Sequence, residues 1–201
     1  MKKLFVLADS ISIHYGPYLE QYLKGFFEYD RKGKNLEHGD LNNESSINGG
    51  DSSHVLEFIK QNCPECDVLL VNCGLHDIKT QNNKKQIEEA EYEKNLNELV
   101  SLVLSKKKKM VWLSTTSVDD EIHKKMCPSF SRSDKDVIAY NDIAKKVMDR
   151  YKIPIIDLNK FTKNLSEPLF ADHVHYVDGV RCLQAAFIAG NLLALEKSGN
   201  L

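Results

Sequence analysis

Short, continuous apolar runs alternate with segments of helical periodicity along most of the chain. Runs of four to eight apolar residues bounded by polar ones are typical of buried strands, and apolar residues three or four positions apart are typical of helices. The predicted strands are residues 4–8, 26–29, 68–73, 110–114 and 153–156. The predicted helices begin after Pro17, at Asp51 or Ser52, before Tyr92, at Ser133 and near Val180.

Strands that alternate with helices favour βαβ units, which build a parallel sheet with helices on both faces. The sequence therefore predicts an α/β fold: one three-layer α/β/α sandwich with a five-stranded, mainly parallel sheet. No repeat, low-complexity tract or linker interrupts the pattern, so we expect a single domain over residues 1–201. Two polar segments, residues 31–48 and 115–131, are predicted to be long loops beside the functional site.

The net charge and the apolar segments of the chain bear on its partners and its location. The formal net charge is −2, which does not favour binding to nucleic acid or to an anionic membrane. The apolar run at the start stops at Asp9, too early for a secretory signal, and no stretch has the length of a membrane span. We therefore expect a cytoplasmic protein without a membrane partner. The sequence gives no indication of the oligomeric state.

The chain has five cysteines, and an odd number argues against a closed disulfide framework. Cys63 and Cys66 have the spacing of a metal or redox pair. A structural zinc site needs a second pair of ligands, and a redox pair follows a strand, whereas this pair precedes one. We therefore expect these cysteines to pack or to lie at the surface, and we predict neither a metal nor a cofactor.

Chemistry-bearing residues follow the predicted strands. Sites in open α/β sheets lie beyond the carboxyl ends of the strands, and there the sequence places Asp9-Ser10, Asn48-Gly49-Gly50, His76-Asp77 and the segment 172–175. A serine needs a base to remove its proton, and a histidine oriented by a carboxylate is the usual base. This set is therefore typical of acyl transfer. His173 competes with His175 as the base, although residues three apart on a tight turn favour Asp172 with His175.

Four stretches resemble the sequence blocks of SGNH (GDSL-like) hydrolases, in the family's order. They are Ala8-Asp9-Ser10, the glycine block around Gly50, Gly74-Leu75-His76-Asp77, and Asp172-His173-Val174-His175. The resemblance implies a flavodoxin-like α/β/α fold and ester hydrolysis without a metal. It implies Ser10 as nucleophile, His175 as base and then acid, and Asp172 as its orienting carboxylate. It also implies an oxyanion hole formed by the amides of Ser10 and Gly50 and the side chain of residue 76.

Two positions depart from the family pattern. Residue 8 is alanine where the family has glycine, which is tolerable if its φ is negative. Residue 76 is histidine where the family has asparagine. An imidazole can donate one N–H, so His76 can still serve the oxyanion hole, but it can also titrate.

Residues around these blocks are candidate substrate contacts: Asp9, Tyr15, Asn48, Asp77, His123 and Tyr176. Tyr15 and Tyr176 could instead pack in the core, and His14 and His123 are placed in loops near the site. The polar loops favour a small polar ester, such as an acetylated carbohydrate, as the substrate.

Other functions remain open at this point. A lysophospholipase or thioesterase would need a longer apolar groove. A catalytically silent binding domain is suggested by His76. A metal-dependent hydrolase is a third alternative, with ligands drawn from His14, His76, Asp77, Asp172, His173 and His175. The G-x-S-x-G pattern of another esterase fold and the common nucleotide-binding patterns are absent from the sequence.

Overall fold

The computed structural model describes residues 1–34 and 47–201. Most of the predicted loop 31–48 therefore lies outside the described residues. Seven strands follow one another in these two described ranges: β1 (Lys2–Leu7), β2 (Phe27–Arg31), β3 (Val68–Val71), β4 (Thr80–Gln81), β5 (Lys84–Lys85), β6 (Lys109–Leu113) and β7 (Ile155–Ile156). The helices are α1 (Ser10–Leu23), α2 (Ser52–Asn62), α3 (Glu89–Ser105), α4 (Asp120–Met126), α5 (Asp134–Tyr151), α6 (Leu158–Lys163) and α7 (Asp178–Lys197).

The main sheet has five strands in the order β2-β1-β3-β6-β7, and every pair is parallel. Helices α1, α6 and α7 pack together as one layer, and α2, α3 and α5 pack together as the other. The three-layer α/β/α prediction is therefore confirmed. Strand β3 lies in the middle of the sheet, and all four of its residues are fully buried, as expected when helices cover both faces.

Helix α1 begins earlier than its apolar pattern predicts. The sequence places Pro17 in the first turn, but the helix starts at Ser10 and Pro17 lies in its interior. The Asp9 carboxylate accepts a hydrogen bond from the amide of Ile11 and so caps the helix. A proline inside a helix removes one backbone donor and crowds the preceding turn, yet α1 continues through Pro17 to Leu23. Ser10 is consequently the first helical residue after β1.

Some short elements were not predicted. Helix α4 lies inside the predicted loop 115–131, and α6 and the β4–β5 hairpin were also missed. Helix α4 has seven residues, which is too short to show a clear apolar period. Its start is instead marked by Asp119, whose side chain accepts from the amide of Ile122. The capping pair at α5 was predicted correctly, because Ser133 Oγ accepts from the Asp136 amide and donates to its carboxylate.

Side-chain hydrogen bonds fix the carboxyl ends of the central strands. Asn72, directly after β3, donates to the carbonyl of Leu113 at 3.0 Å and to Thr115 Oγ1 at 3.1 Å. Asn141 binds both the amide and the carbonyl of Thr115 at 2.8 Å. A Cβ on Gly74 would lie 2.2 Å from Thr115 Oγ1, so only glycine fits there. These contacts hold the segment that continues to His76.

Within the described residues, no helix combines the length and apolar character needed to cross a membrane. All five cysteines are free thiols, and Cys63 and Cys66 are both half-buried.

Candidate active site

Ser10 lies at the junction of β1 and α1, at the carboxyl edge of the sheet. Its side chain is partly exposed, while Asp9 before it is buried. The first amides of a helix have no acceptor within the helix, and the helix dipole gives this end partial positive charge. Ser10 is therefore positioned where a developing negative charge on a substrate would be stabilised.

Asp172 and His175 lie in a tight turn between Phe170 and Tyr176, two residues that form an isolated antiparallel bridge. The Ala171 amide donates to the carbonyl of His175 at 2.8 Å and closes the turn. One carboxylate oxygen, Asp172 Oδ1, accepts from the amides of Val174 and His175 at 2.9 and 2.8 Å. The other oxygen, Oδ2, is left to face the His175 ring.

The three side chains form one hydrogen-bonded relay. Asp172 Oδ2 lies 2.7 Å from His175 Nδ1, and His175 Nε2 lies 2.8 Å from Ser10 Oγ. Both distances are within the range required for a nucleophile, its base and an orienting carboxylate. The structure thus brings together residues that are 165 positions apart in the chain. The relay uses His175 and leaves His173 outside it.

Asp172 is ionised at neutral pH. Partial burial raises the pKa of its carboxyl, but hydrogen bonds from the amides of Val174 and His175 and from the His175 ring outweigh burial, so that the pKa is lowered overall. A carboxylate in this position fixes the proton of His175 on Nδ1. Nε2 is then free to accept the proton of Ser10.

His14 packs against the catalytic imidazole. It lies in α1, one turn after Ser10, and not in a loop as predicted; its ring centroid is 4.6 Å from that of His175. Burial, the neighbouring His175 and Arg181 lower the pKa of His14 to about 4. His14 is therefore neutral at physiological pH, so it does not place a second positive charge beside His175.

A cleft of about 280 Å³ opens over the relay. It is lined by Ser10, Asn48, Leu75, His76, Lys79, Phe130, Arg132, His173, Val174 and His175. A larger cavity of about 470 Å³ lies near α5, but no residue of the relay lines it. The smaller cleft is the candidate substrate site, because it alone of these two contains the nucleophile.

Two of the three predicted oxyanion-hole residues line this cleft: Ser10 and His76. The third, Gly50, has a φ of +73°, and its amide donates to Asn48 Oδ1 at 2.9 Å. A substrate oxyanion would therefore have to replace the Asn48 oxygen to reach the Gly50 amide. Asn48 itself lines the cleft and is the only one of the six predicted substrate contacts that does so.

Asp9 and Tyr15, two of the other predicted substrate contacts, have structural positions instead. Asp9 is the cap of α1, and burial raises the pKa of its carboxyl despite the nearby His76. Tyr15 is 1 % exposed and packs in the core. Asp77 is fully buried and accepts from the Ser52 amide at 2.8 Å, which holds the start of α2. Burial raises the pKa of Asp77 to about 7.

His123 and Tyr176 are also buried, each 1 % exposed, and are absent from the lining of the cleft. Tyr176 stacks on Phe170 and donates to the carbonyl of Ser117 at 3.2 Å. His123 lies in α4, not in a loop, and its ring contacts His173. Neither side chain lines the cleft, so the structure does not bring them together with Asn48, the predicted substrate contact that does.

Sequence reasoning missed three residues of the cleft. Lys79 and Arg132 both lie against the ring of Phe130, with the Lys79 nitrogen 4.9 Å and the Arg132 guanidinium carbon 5.1 Å from the ring centroid. Paired backbone hydrogen bonds between Thr80 and Ser131 bring the two segments together. These residues give the cleft positive charge on one side. A weak signal was available, since Phe130 lies at the end of the polar segment 115–131 that was expected to shape the site, and Arg132 directly follows that segment.

The six ligands suggested for a metal-dependent hydrolase do not gather into one group among the described residues. Asp172 and His175 belong to the relay, and Asp77 holds α2. The described residues contain one group of metal-ligating side chains, His123, Cys127 and His173, with ligand atoms within 4.8 Å of one another. Only His173 is shared with the earlier set.

Comparisons with known proteins support the fold. No family model matches the chain, and a search of curated proteins gave no significant match. Among solved structures, a lipase/acylhydrolase from Enterococcus faecalis has a TM-score of 0.70 at 16 % identity and covers 96 % of this chain and 95 % of its own. A GDSL-like lipase from Bacteroides thetaiotaomicron has a TM-score of 0.70 at 14 % identity and covers 98 % and 89 %.

This chain has the SGNH-hydrolase fold. A carbohydrate acetylesterase from Sinorhizobium meliloti shows the same likeness, with a TM-score of 0.67, 14 % identity and coverage of 97 % of this chain and 100 % of its own. Each alignment spans nearly the whole SGNH-type fold described above. At these identities the likeness extends to the fold, and the chemistry has to be argued from the relay and its cleft.

Proposed function

We propose that the protein is a serine ester hydrolase in which Ser10 is the nucleophile, His175 the general acid–base and Asp172 the orienting carboxylate. The observation that supports this most directly is the continuous relay from Asp172 Oδ2 through the His175 ring to Ser10 Oγ, with distances of 2.7 and 2.8 Å. Packing of the core does not require such a relay. The relay also opens on a cleft that Ser10 and His175 line.

The reaction has two halves. Ser10 Oγ attacks the acyl carbonyl carbon while its proton moves to His175 Nε2. When the tetrahedral intermediate collapses, that proton passes to the leaving alcohol and an acyl-serine remains. Water then attacks the acyl carbon, gives its proton to His175 and releases the acid, and Ser10 recovers its proton.

The oxyanion of each intermediate needs donors that are already in place. The Ser10 amide lies at the N-terminus of α1, and the His76 side chain faces the same cleft. We assign these two donors to the oxyanion. The Gly50 amide joins them only if the Asn48 oxygen moves aside, because it accepts from Gly50 in this structure.

The proposed substrate is an acetyl or other short acyl ester of a carbohydrate or small polar alcohol. The cleft volume of about 280 Å³ lies just below the range of roughly 300–1,000 Å³ that is typical of pockets for drug-sized ligands, so it suits a short acyl group more than a long chain. Asn48, Lys79 and Arg132 provide polar contacts for hydroxyl oxygens. The similarity to a carbohydrate acetylesterase points in the same direction.

The nucleophile is tested with Ser10→Ala on p-nitrophenyl acetate, together with fluorophosphonate labelling of the unmodified protein. We expect kcat to fall by roughly 10⁶-fold, as expected for loss of a serine nucleophile, and the label to be found on Ser10. Ser101→Ala is the matched control, because Ser101 is exposed on α3. Unchanged turnover by Ser10→Ala, or an inert protein that takes no label, would contradict the proposal; the second result would favour a silent binding domain.

The substrate class is tested with acetylated sugars, longer acyl esters and acyl thioesters. We expect the highest kcat/KM on acetyl esters. A preference for long acyl chains would instead indicate a lipase or thioesterase. His76→Asn should retain substantial activity, because an amide can also donate one N–H to the oxyanion. A loss as large as that of Ser10→Ala would mean that the imidazole has another role.

A further inference from the structure

A second cluster of reactive side chains adjoins the turn that carries Asp172 and His175. It consists of His123 and Cys127 from the α4 region and His173, which stands between Asp172 and His175 in the chain. The relay uses none of these three residues. Their ligand atoms, one imidazole nitrogen from each histidine and the Cys127 sulfur, lie within 4.8 Å of one another.

Local structure brings the first two ligands to one face. His123 and Cys127 are four residues apart, and the Cys127 amide donates to the carbonyl of His123 at 2.9 Å, as in a continuing helical turn. Side chains four apart on a helix lie next to each other. The pair is therefore preorganised by the backbone of α4 before any ligand binds.

The third ligand is held against this face. The Asp119 amide donates to the carbonyl of His173 at 3.0 Å, which fixes the turn to the start of α4. The His173 ring then contacts both partners, with Nδ1 2.8 Å from His123 Nδ1 and Nε2 3.4 Å from Cys127 Sγ. His123 is 1 % exposed, whereas His173 also lines the cleft, which offers an entry path.

We propose that His123, Cys127 and His173 form a binding site for one zinc ion that fastens helix α4 to the turn carrying Asp172 and His175. Imidazole nitrogen and thiolate sulfur are the ligands that zinc prefers, and sites with three protein ligands complete a tetrahedron with water. On binding, Cys127 loses its thiol proton to solvent and both histidines bind as neutral rings.

The ligand set needs a side-chain adjustment, because the His173 ring contacts His123 through Nδ1 and Cys127 through Nε2, and one ion binds only one of these nitrogens. The three ligand atoms start within 4.8 Å of one another. Zn–N bonds of about 2.0–2.1 Å and Zn–S bonds of about 2.3 Å imply tetrahedral N–N and N–S separations of about 3.4 and 3.6 Å. The two Nδ1 atoms would move apart by about half an ångström from their hydrogen-bonded distance of 2.8 Å. The second ring nitrogen of His123, Nε2, is buried and forms no hydrogen bond in the structure.

The site is tested by titrating the metal-free full-length protein with Co²⁺, which reports thiolate ligation through a sulfur-to-cobalt charge-transfer band, and then with Zn²⁺ in competition. We expect one equivalent of Co²⁺ to give the band and Zn²⁺ to abolish it. Cys127→Ser should lose the band, and His123→Asn should bind at least tenfold more weakly. Zn²⁺ should raise the Tm of the unmodified protein but not that of Cys127→Ser.

Cys63→Ser is the matched control, because Cys63 and Cys66 are the other cysteines with metal-like spacing. It should bind as the unmodified protein does. If a variant fails to fold, alkylation of the unmodified protein replaces it: Zn²⁺ should slow modification of Cys127 and leave Cys182 unchanged. No charge-transfer band, a band that survives Cys127→Ser, or a band lost in Cys63→Ser would overturn the proposal. These readouts do not depend on ester hydrolysis, so the zinc site and the proposed function can fail separately.

Discussion

Replacing Asp172 with asparagine separates the two tasks of this carboxylate. Its Oδ1 accepts hydrogen bonds from the amides of Val174 and His175, and its Oδ2 accepts a hydrogen bond from His175 Nδ1 at 2.7 Å. In Asp172→Asn the amide oxygen can keep both backbone hydrogen bonds, so the turn should remain folded. The amide nitrogen, which is a donor, then faces His175 Nδ1.

That exchange reverses the tautomer of His175. With a donor opposite it, Nδ1 must accept, and the ring proton moves to Nε2. Nε2 then donates to Ser10 Oγ, 2.8 Å away, and cannot take its proton. Loss of the correct tautomer in a Ser-His-Asp triad lowers kcat by roughly 10⁴-fold. At about 1.36 kcal/mol per tenfold, this corresponds to about 5.4 kcal/mol of activation free energy.

The assay is kcat on p-nitrophenyl acetate for the unmodified protein, Asp172→Asn and Asp172→Ala, with Tm measured for each. We expect both variants to lose activity, but only the alanine variant to lower the Tm appreciably, because it alone removes both backbone hydrogen bonds. Activity of Asp172→Asn within tenfold of the unmodified protein, at equal Tm, would refute the role assigned to Oδ2.

Two further predictions concern titration. Burial raises the pKa of Asp77 from its ordinary 3.8 to about 7. Its stabilising contribution is therefore complete below pH 3.8 and is lost as the pH rises through 7. In urea unfolding, Asp77→Asn should gain stability over the unmodified protein as the pH rises, reaching about 4 kcal/mol above pH 7. A constant difference from pH 4 to 8 would contradict this. Burial and the neighbouring His175 lower the pKa of His14 to about 4, so an NMR titration should find its ring neutral at pH 6; a midpoint near 6.5 would be the contrary result.

The architecture could be predicted from the sequence because its signals are local and repeated. Continuous apolar runs indicated all five strands of the main sheet, and the buried faces of α2, α3 and α5 indicated those helices. The start of α1 was misplaced because Pro17 is a strong marker of a first turn, whereas the true start depends on the Asp9 cap. Helix α4 was missed because it is short and its caps, not its apolar period, define it.

The relay could be anticipated because a parallel sheet gathers strand ends at one edge and because the resemblance to the SGNH blocks singled out Ser10, Asp172 and His175. The side chains that form the walls of the cleft could not be anticipated in this way. Lys79, Phe130 and Arg132 come together through paired backbone hydrogen bonds between Thr80 and Ser131, a contact across 51 residues that no local pattern reveals. For the same reason, the proximity of His123 and Cys127 to His173 emerged only from the folded chain.

Several aspartates in this fold stabilise the backbone next to them by accepting hydrogen bonds from its amides. Asp9 caps α1, Asp51 caps α2 and Asp119 caps α4, each by accepting backbone amides at the start of a helix. Asp172 does the same for its turn with Oδ1 and keeps only Oδ2 for His175. The spacing Asp172-x-x-His175 therefore stabilises the turn first, because an aspartate that caps a turn holds the residue three positions later on the same side of the turn as itself. The orientation of the base follows from that cap, and this is why the asparagine and alanine variants should separate in stability but not in activity.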